Sequence, residues 1–222
     1  MATDPRDASL GAGHAAGLVV RPARPRDLDA AARVLVAAFP SEFRLLFGPR
    51  QRVGEDVAAH VLHHDYPTRR GVWVACDGER IVGVMLLAAP PQLQSQPPWR
   101  LAWHVAWRHV GLWRMPRLAL ALLLPRYTVQ RDEVYVRAIG VLAEERGRGA
   151  GTMLLACAET WARDHHKRWL GLHVHRENPG AHRLHQRLGY RERGYRASLI
   201  TWILLQQRGA YYLRKPISTP VG

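Results

Sequence analysis

The spacing of apolar residues changes repeatedly along this chain, and each change marks the edge of a predicted element. Leu18 to Pro22 forms a short apolar run and predicts a strand. Pro25-Arg26-Asp27 then opens a helix whose apolar positions Leu28, Ala31, Leu35 and Ala38 follow helical spacing, and that helix stops near Pro40. A second helix is predicted from Arg52 to His64. Val72 to Cys76 and Ile81 to Leu87, separated by a turn at Asp77-Gly78, predict a hairpin. Pro90 to Pro98 is a polar, proline-rich linker. It leads into Trp99 to Leu124, where Trp99, Trp103 and Trp107 recur every fourth residue on one helical face.

The second half alternates strand and helix patterns. Glu133 to Val141 predicts a strand, Gly149 to His165 a helix with Met153, Leu154, Cys157 and Trp161 inward, and Trp169 to His175 another strand. Asn178 to Leu188 predicts a helix closed by Gly189, a residue suited to a left-handed cap. Leu199 to Leu205 and Ala210 to Arg214 predict two final strands. Strands and helices mixed around one sheet indicate an α/β or α+β fold. Residues 1–17 are expected to form a disordered tail, 18–217 a single domain and 99–124 a helical insertion within it.

Composition narrows the function. A formal charge of +14 draws anions of any kind, but the arginines form no single block and do not interleave with aromatics as base-stacking surfaces do. Nucleic acid is therefore not expected as a partner. Arg100, Arg108, Arg114 and Arg117 interrupt the Trp-rich stretch and argue against a transmembrane span. A helix pair packed on the domain, a lid over a substrate pocket and an interfacial helix remain as readings of it, and membrane association is not expected. Cys76 and Cys157 lie in apolar stretches and read as buried thiols, which suits a reducing cytoplasm. The pairs His173/His175 and His182/His185 have spacings that can ligate zinc, but no Asp or Cys completes a set, so no metal is expected.

The segment Val141 to Thr152 carries the chemistry. A strand ends, the turn Arg146-Gly147-Arg148-Gly149-Ala150-Gly151 follows, and a helix begins at once. Glycines let the backbone bend with positive φ, and the first helical turn presents N–H groups without partners. Such a turn suits a pyrophosphate, with Arg146 and Arg148 able to add charge-assisted contacts. The Walker lysine is missing and the spacing G-x-G-x-x-G is not met.

Arg146, Gly149 and Gly151 follow Arg/Gln-x-x-Gly-x-Gly/Ala. Asn178, Ala181, Leu184, Gly189 and Tyr190 follow Asn-x-x-Ala-x-x-Leu-Tyr-x-x-x-Gly-Phe/Tyr. In these two motifs the chain resembles the GNAT N-acetyltransferases. The resemblance implies a mixed, mostly antiparallel central sheet flanked by helices, with the Trp-rich insertion before the strand that binds coenzyme A. It implies acetyl-CoA as acyl donor and an amine as acceptor, whether a small molecule, an antibiotic or a protein amine. It also implies that the turn from Arg146 to Thr152 holds the pyrophosphate, that Ile139 and Val141 meet the pantetheine arm through a splay between strands, and that Asn178 helps hold the cofactor.

Where the family has a tyrosine acid this chain has His185, whose imidazolium could protonate the leaving thiolate. Glu133 and Tyr135, with Arg137, share one strand face by period two and could poise a water to deprotonate the amine. The missing tyrosine keeps a coenzyme A sensor or inactive relative as the alternative. A homodimer stands open as an assembly.

Overall fold

The computed structural model describes residues 14–15, 17–65, 71–90, 127–197 and 208–217. The linker at 91–98, the Trp-rich stretch and the strand expected at Leu199 to Leu205 lie outside these residues, as does most of the expected tail. Among the described residues the strands are β1 (His14–Ala15), β2 (Leu18–Pro22), β3 (Val72–Asp77), β4 (Arg80–Ala88), β5 (Glu133–Val141), β6 (Trp169–His175), β7 (Arg191–Ala197) and β8 (Gly209–Pro216). The helices are α1 (Leu28–Ala38), α2 (Pro40–Phe47), α3 (Gln51–Asp65), α4 (Ala150–Asp164) and α5 (Pro179–Arg187). No helix among them is long and apolar enough to cross a membrane.

The strands form one sheet in the order β1-β2-β3-β4-β5-β6-β8-β7, antiparallel everywhere except between β5 and β6. A parallel neighbour requires a crossover, and α4 supplies it. β3 is buried on both faces, so Val72 to Cys76 are apolar without interruption yet still obey period two. Val72, Val74 and Cys76 join a cluster with Leu28, Ala31, Ala32, Ala58 and Leu62 of α1 and α3. Trp73 and Ala75 point the other way, into a cluster with Leu154, Leu155, Ala158 and Trp161 of α4.

Two elements differ from expectation. The chain does not leave helical structure at Pro40 but starts α2 there. Phe39 breaks the run at φ −126° and ψ 53°, and Pro40 takes the first helical position, where its missing N–H costs nothing. The strand beside β8 at the sheet edge is the polar stretch Arg191–Ala197, which is exposed along its whole length. No apolar alternation announces such a strand.

The corner between α1 and α2 lies over the end of β5. A Cβ at Gly140 would sit 2.5 Å from the Ala38 Cβ and 3.3 Å from the Phe39 ring. Gly140→Ala should therefore push this corner off the sheet and lower stability by about 1–3 kcal/mol, measurable as the shift in urea midpoint against wild type.

Candidate functional site

The site is set by where β5 loses its neighbours. On one side Leu86 pairs with Ala138 and Leu87 with Val136, so Arg137 has no partner on β4. On the other side β5 pairs with β6 only from Glu133–Trp169 to Val136–Leu172. Beyond that point β5 continues with β4 to Val141, while β6 continues with β8 to His175. The two strands part like a fork. The main-chain groups of β5 along the opening lack a ladder partner on β6, and such an edge can receive an extended ligand by strand-like hydrogen bonds.

The extra residue also corrects the period-two face drawn through Glu133, Tyr135 and Arg137. Because Arg137 is skipped in the ladder, Ile139 and Val141 turn toward the α4 side with Val134 and Val136. Ala138 and Gly140 turn toward α1, on the side of Glu133 and Tyr135. Arg137 itself is exposed.

Beyond the fork the backbone makes a 3-10 turn at Ala143–Glu145 and reaches Gly147 at φ 83° and Gly149 at φ 91°. These conformations favour glycine. A Cβ at either position would meet nothing within 4 Å, so the turn faces open space. Gly149 caps α4 and has no side chain to serve its amides, and the first bond shown in the helix runs from Met153 N–H to Gly149 C=O at 3.0 Å. The amides of Ala150, Gly151 and Thr152 precede any intrahelical partner and are available to an anion.

The side chains around this turn differ from expectation. The Arg148 guanidinium is held by Asp77 at 2.9 Å and by Glu145, and these carboxylates push its pKa further up. Arg80 bridges Glu144 at 2.8 Å and Glu145 at 3.2 Å. The Arg146 side chain donates to the Val141 carbonyl at 3.4 Å. The side-chain charge of Arg148 is thus already matched. Asn178 is the N-cap of α5, its Oδ1 accepting from Ala181 N–H at 3.0 Å.

A polar and aromatic group fills the α1-side face of β5, β6 and β8. Glu133 is fully buried, and its carboxylate accepts from Tyr127 Oη at 2.8 Å, from Tyr212 Oη and from Gln130 N–H at 3.3 Å. It is sealed rather than open to a solvent molecule. Gly171 makes room for it, since a Cβ there would collide with the Glu133 carboxylate. Tyr135 Oη lies 2.8 Å from His173 Nδ1, and burial raises the Tyr135 phenol well above its ordinary value. The rings of Tyr127 and His173 each pack against the other and against those of Tyr135 and Tyr212, with centroids 4.9–5.7 Å apart. Sequence reasoning missed Tyr127, Tyr212 and this role of His173. Only the period-two phase of β6 and β8 carried any trace of it.

His185 lies where the sequence places it, on α5, but it is 3% exposed and packs edge-on against Tyr190. Its Nδ1 has no partner among the described residues. Burial, with help from the charge of His182, lowers its pKa to about 4. The imidazolium expected from sequence is therefore corrected to a neutral imidazole near neutral pH, still able to donate one N–H. Among the described residues no group of three or more His, Cys, Asp or Glu could hold a metal ion.

The sequence matches the Acetyltransferase (GNAT) family over residues 38–190, more than half of the chain. No curated protein matches it. Its fold is similar to that of a histone acetyltransferase HPA2 and related acetyltransferase from Corynebacterium glutamicum, at 23% identity over 93% of this chain and 99% of the other, with a TM-score of 0.62. It is also similar to an N-acetyltransferase from Staphylococcus aureus, at 20% identity over 88% and 99% with a TM-score of 0.61. The ribosomal-protein-S18-alanine N-acetyltransferase from Escherichia coli aligns at 15% identity over 91% and 95%, with a TM-score of 0.53. At such identities the likeness is one of fold.

Two measurements check the buried groups. Tyr212→Phe removes a donor from the sealed Glu133 carboxylate and should cost roughly 2 kcal/mol in chemical denaturation. His185 titrates at about 4 in the fold against 6.5 in the open chain, so the unfolded state takes up a proton that the fold refuses. Stability should fall as pH drops from 6.5 toward 4, by on the order of 3 kcal/mol for this group, and His185→Phe should flatten that part of the curve.

Proposed function

The chain belongs to the Acetyltransferase (GNAT) family, which makes it an acyltransferase, and we propose that it moves the acetyl group of acetyl-CoA directly to an amine within one ternary complex. The observation that carries this reading is the fork between β5 and β6 opening beside a glycine turn whose helix amides are uncapped. An extended arm and a diphosphate are the two parts of one ligand that such a pair of features fits.

In this reading Ile139 and Val141 meet the pantetheine arm through their main chain. The turn Arg146-Gly147-Arg148-Gly149-Ala150-Gly151-Thr152 receives the diphosphate mainly through backbone N–H groups, and Arg146 is the guanidinium best placed to join them. Asn178 supports this side by fixing the start of α5. An amide N–H of β5 at the opening polarises the thioester carbonyl. Attack needs an uncharged amine, whereas an alkyl ammonium keeps its proton up to a pKa near 10.4. A neutral His185 contributes a hydrogen bond to the departing sulfur rather than a whole proton. The α1–α2 corner frames the acceptor side, where Glu42 of α2 lies close enough to His175 for its charge to raise that imidazole against the effect of burial. A cytoplasmic location fits the two buried free cysteines.

The test is release of free thiol from acetyl-CoA in the presence of an amine panel: spermidine, an arylalkylamine, an aminoglycoside and peptides with free α-amino groups. Acetylated product of the right mass is expected with at least one. Thiol release with none, despite tight coenzyme A binding, would leave a sensor instead. Gly149→Glu places a side chain at φ 91° and a negative charge against the amides, and should weaken coenzyme A binding on the order of 100-fold by calorimetry. Unchanged affinity would remove the phosphate assignment. His185→Phe should lower kcat more than affinity, and His185→Tyr should retain much of it.

A further inference from the structure

We propose that His173 is the group that takes the proton from the acceptor amine as it attacks, with Tyr135 as the positioning residue that fixes the imidazole. The proposal rests on the acetyl-transfer reading and adds a catalytic residue that neither motif contains.

The position of His173 follows from the ladder. Pairing between β5 and β6 ends at Leu172, so His173 is the first residue of β6 beyond the point where the strands part. It lies on the face of Tyr135 and Tyr212, since Leu172 and Val174 on either side of it point into the α4 cluster. That face is also the one under the α1–α2 corner, the side left for an acceptor once the extended donor lies along the opening. His185 stands across the sheet, on α5, whose Ala181 and Leu188 pack against the α4-side cluster. The two imidazoles thus lie on opposite sides of the sheet, His173 on the side assigned to the attacking nitrogen and His185 on the side assigned to the leaving sulfur.

Two of the other candidates on this face are committed elsewhere. Glu133 is sealed by Tyr127, Tyr212 and Gln130. The Tyr135 phenol is held as a phenol by burial. His173 is only partly buried and its Nδ1 is engaged by Tyr135 at 2.8 Å. In the tautomer whose Nδ1–H donates to the phenol oxygen, Nε2 carries the lone pair. The groups that face the ring are Tyr135 on β5, Tyr127 ahead of it, Tyr212 on β8, Arg196 on β7 and His175 further along β6, with Glu133 behind the phenols. Burial first, then the charges of Arg196 and His175, lower His173 to about 4, so the ring is neutral at neutral pH and in this tautomer its Nε2 lone pair is open to the amine.

The step balances with no further reactant. The amine lone pair forms the C–N bond, the C–S bond breaks with its electrons on sulfur, and the amine proton moves to His173 Nε2. The imidazolium returns that proton to water, and the thiolate takes one from water.

The full-length chain should be assayed with acetyl-CoA and whichever panel amine turns over, as wild type, His173→Ala and His173→Gln. Both variants should retain wild-type acetyl-CoA affinity by calorimetry and lose kcat by about 100-fold or more. Added imidazole should restore turnover to His173→Ala but not to His173→Gln, a rescue that a merely structural role would not give. In the chain with coenzyme A added, the ring resonances of His173 should shift in NMR spectra when the panel amines are titrated in. Wild-type kcat in either variant, absence of imidazole rescue, or ring resonances that do not move would each overturn the proposal. A wild-type chain that releases no thiol sinks the acetyl-transfer reading instead, and the NMR titration then decides alone for or against an amine at His173.

Discussion

Arg137 has no partner on β4, and the rest of the site follows from that extra residue. A strand that gains one residue on one side of a ladder exchanges its faces, so Val134 and Val136 before it and Ile139 and Val141 after it all point to α4. The same irregularity lies where β5 parts from β6. Burial holds the arrangement in place. Leu170, Leu172 and Val174 on β6 and Leu154, Leu155 and Ala158 on α4 belong to one cluster, so closing the fork would mean moving packed side chains against a filled core. On the other face Gly140 lets Ala38 and Phe39 come down onto β5. The opening is thus braced by helices on both sides of the sheet.

In the proposed reading, the ion pairs at the turn favour the main chain as the group that receives the diphosphate. Glu144, Glu145 and Asp77 bind Arg80 and Arg148, so the charges nearest the turn largely cancel. A diphosphate drawn in by guanidinium groups alone would have to compete with those carboxylates and would meet their repulsion. Amides fixed at the start of α4 carry no such competition and need no rearrangement. The ion pairs serve better as a brace that ties the loop to the β3–β4 hairpin across Asp77 and Arg80. The chain's overall charge of +14 can still raise the local concentration of an anionic donor.

Much of this was legible in the sequence because it depends on local rules. β5 and β6 have the predicted bounds Glu133–Val141 and Trp169–His175, since their apolar runs end at charged or turn residues. The glycine turn was legible because positive φ selects glycine at Gly147 and Gly149. What was hidden depends on pairing between distant segments. No local pattern marks a bulge at Arg137, because the residue is defined by the partner it lacks. Arg191–Ala197 was invisible as a strand because an exposed edge needs no apolar face. Glu133 was read as a residue able to poise a water, because its donors come from the stretch before β5 (Tyr127) and from β8 (Tyr212). Gly171 gave no hint that it is small to admit that carboxylate.

The polar group around Glu133 has a consequence for the fold as well as for chemistry. A carboxylate with no exposed surface is tolerated only when its oxygens are satisfied, and two phenols and a main-chain amide do that here. Tyr127 precedes β5 in the chain, and its phenol donates to the buried Glu133 carboxylate. The same ring packs against His173 and Tyr135. The buried Glu133 carboxylate and the rings beside His173 are therefore tied in one cluster, and a change that loosens Tyr127 would disturb both together. This coupling makes Glu133 a structural keystone of the face.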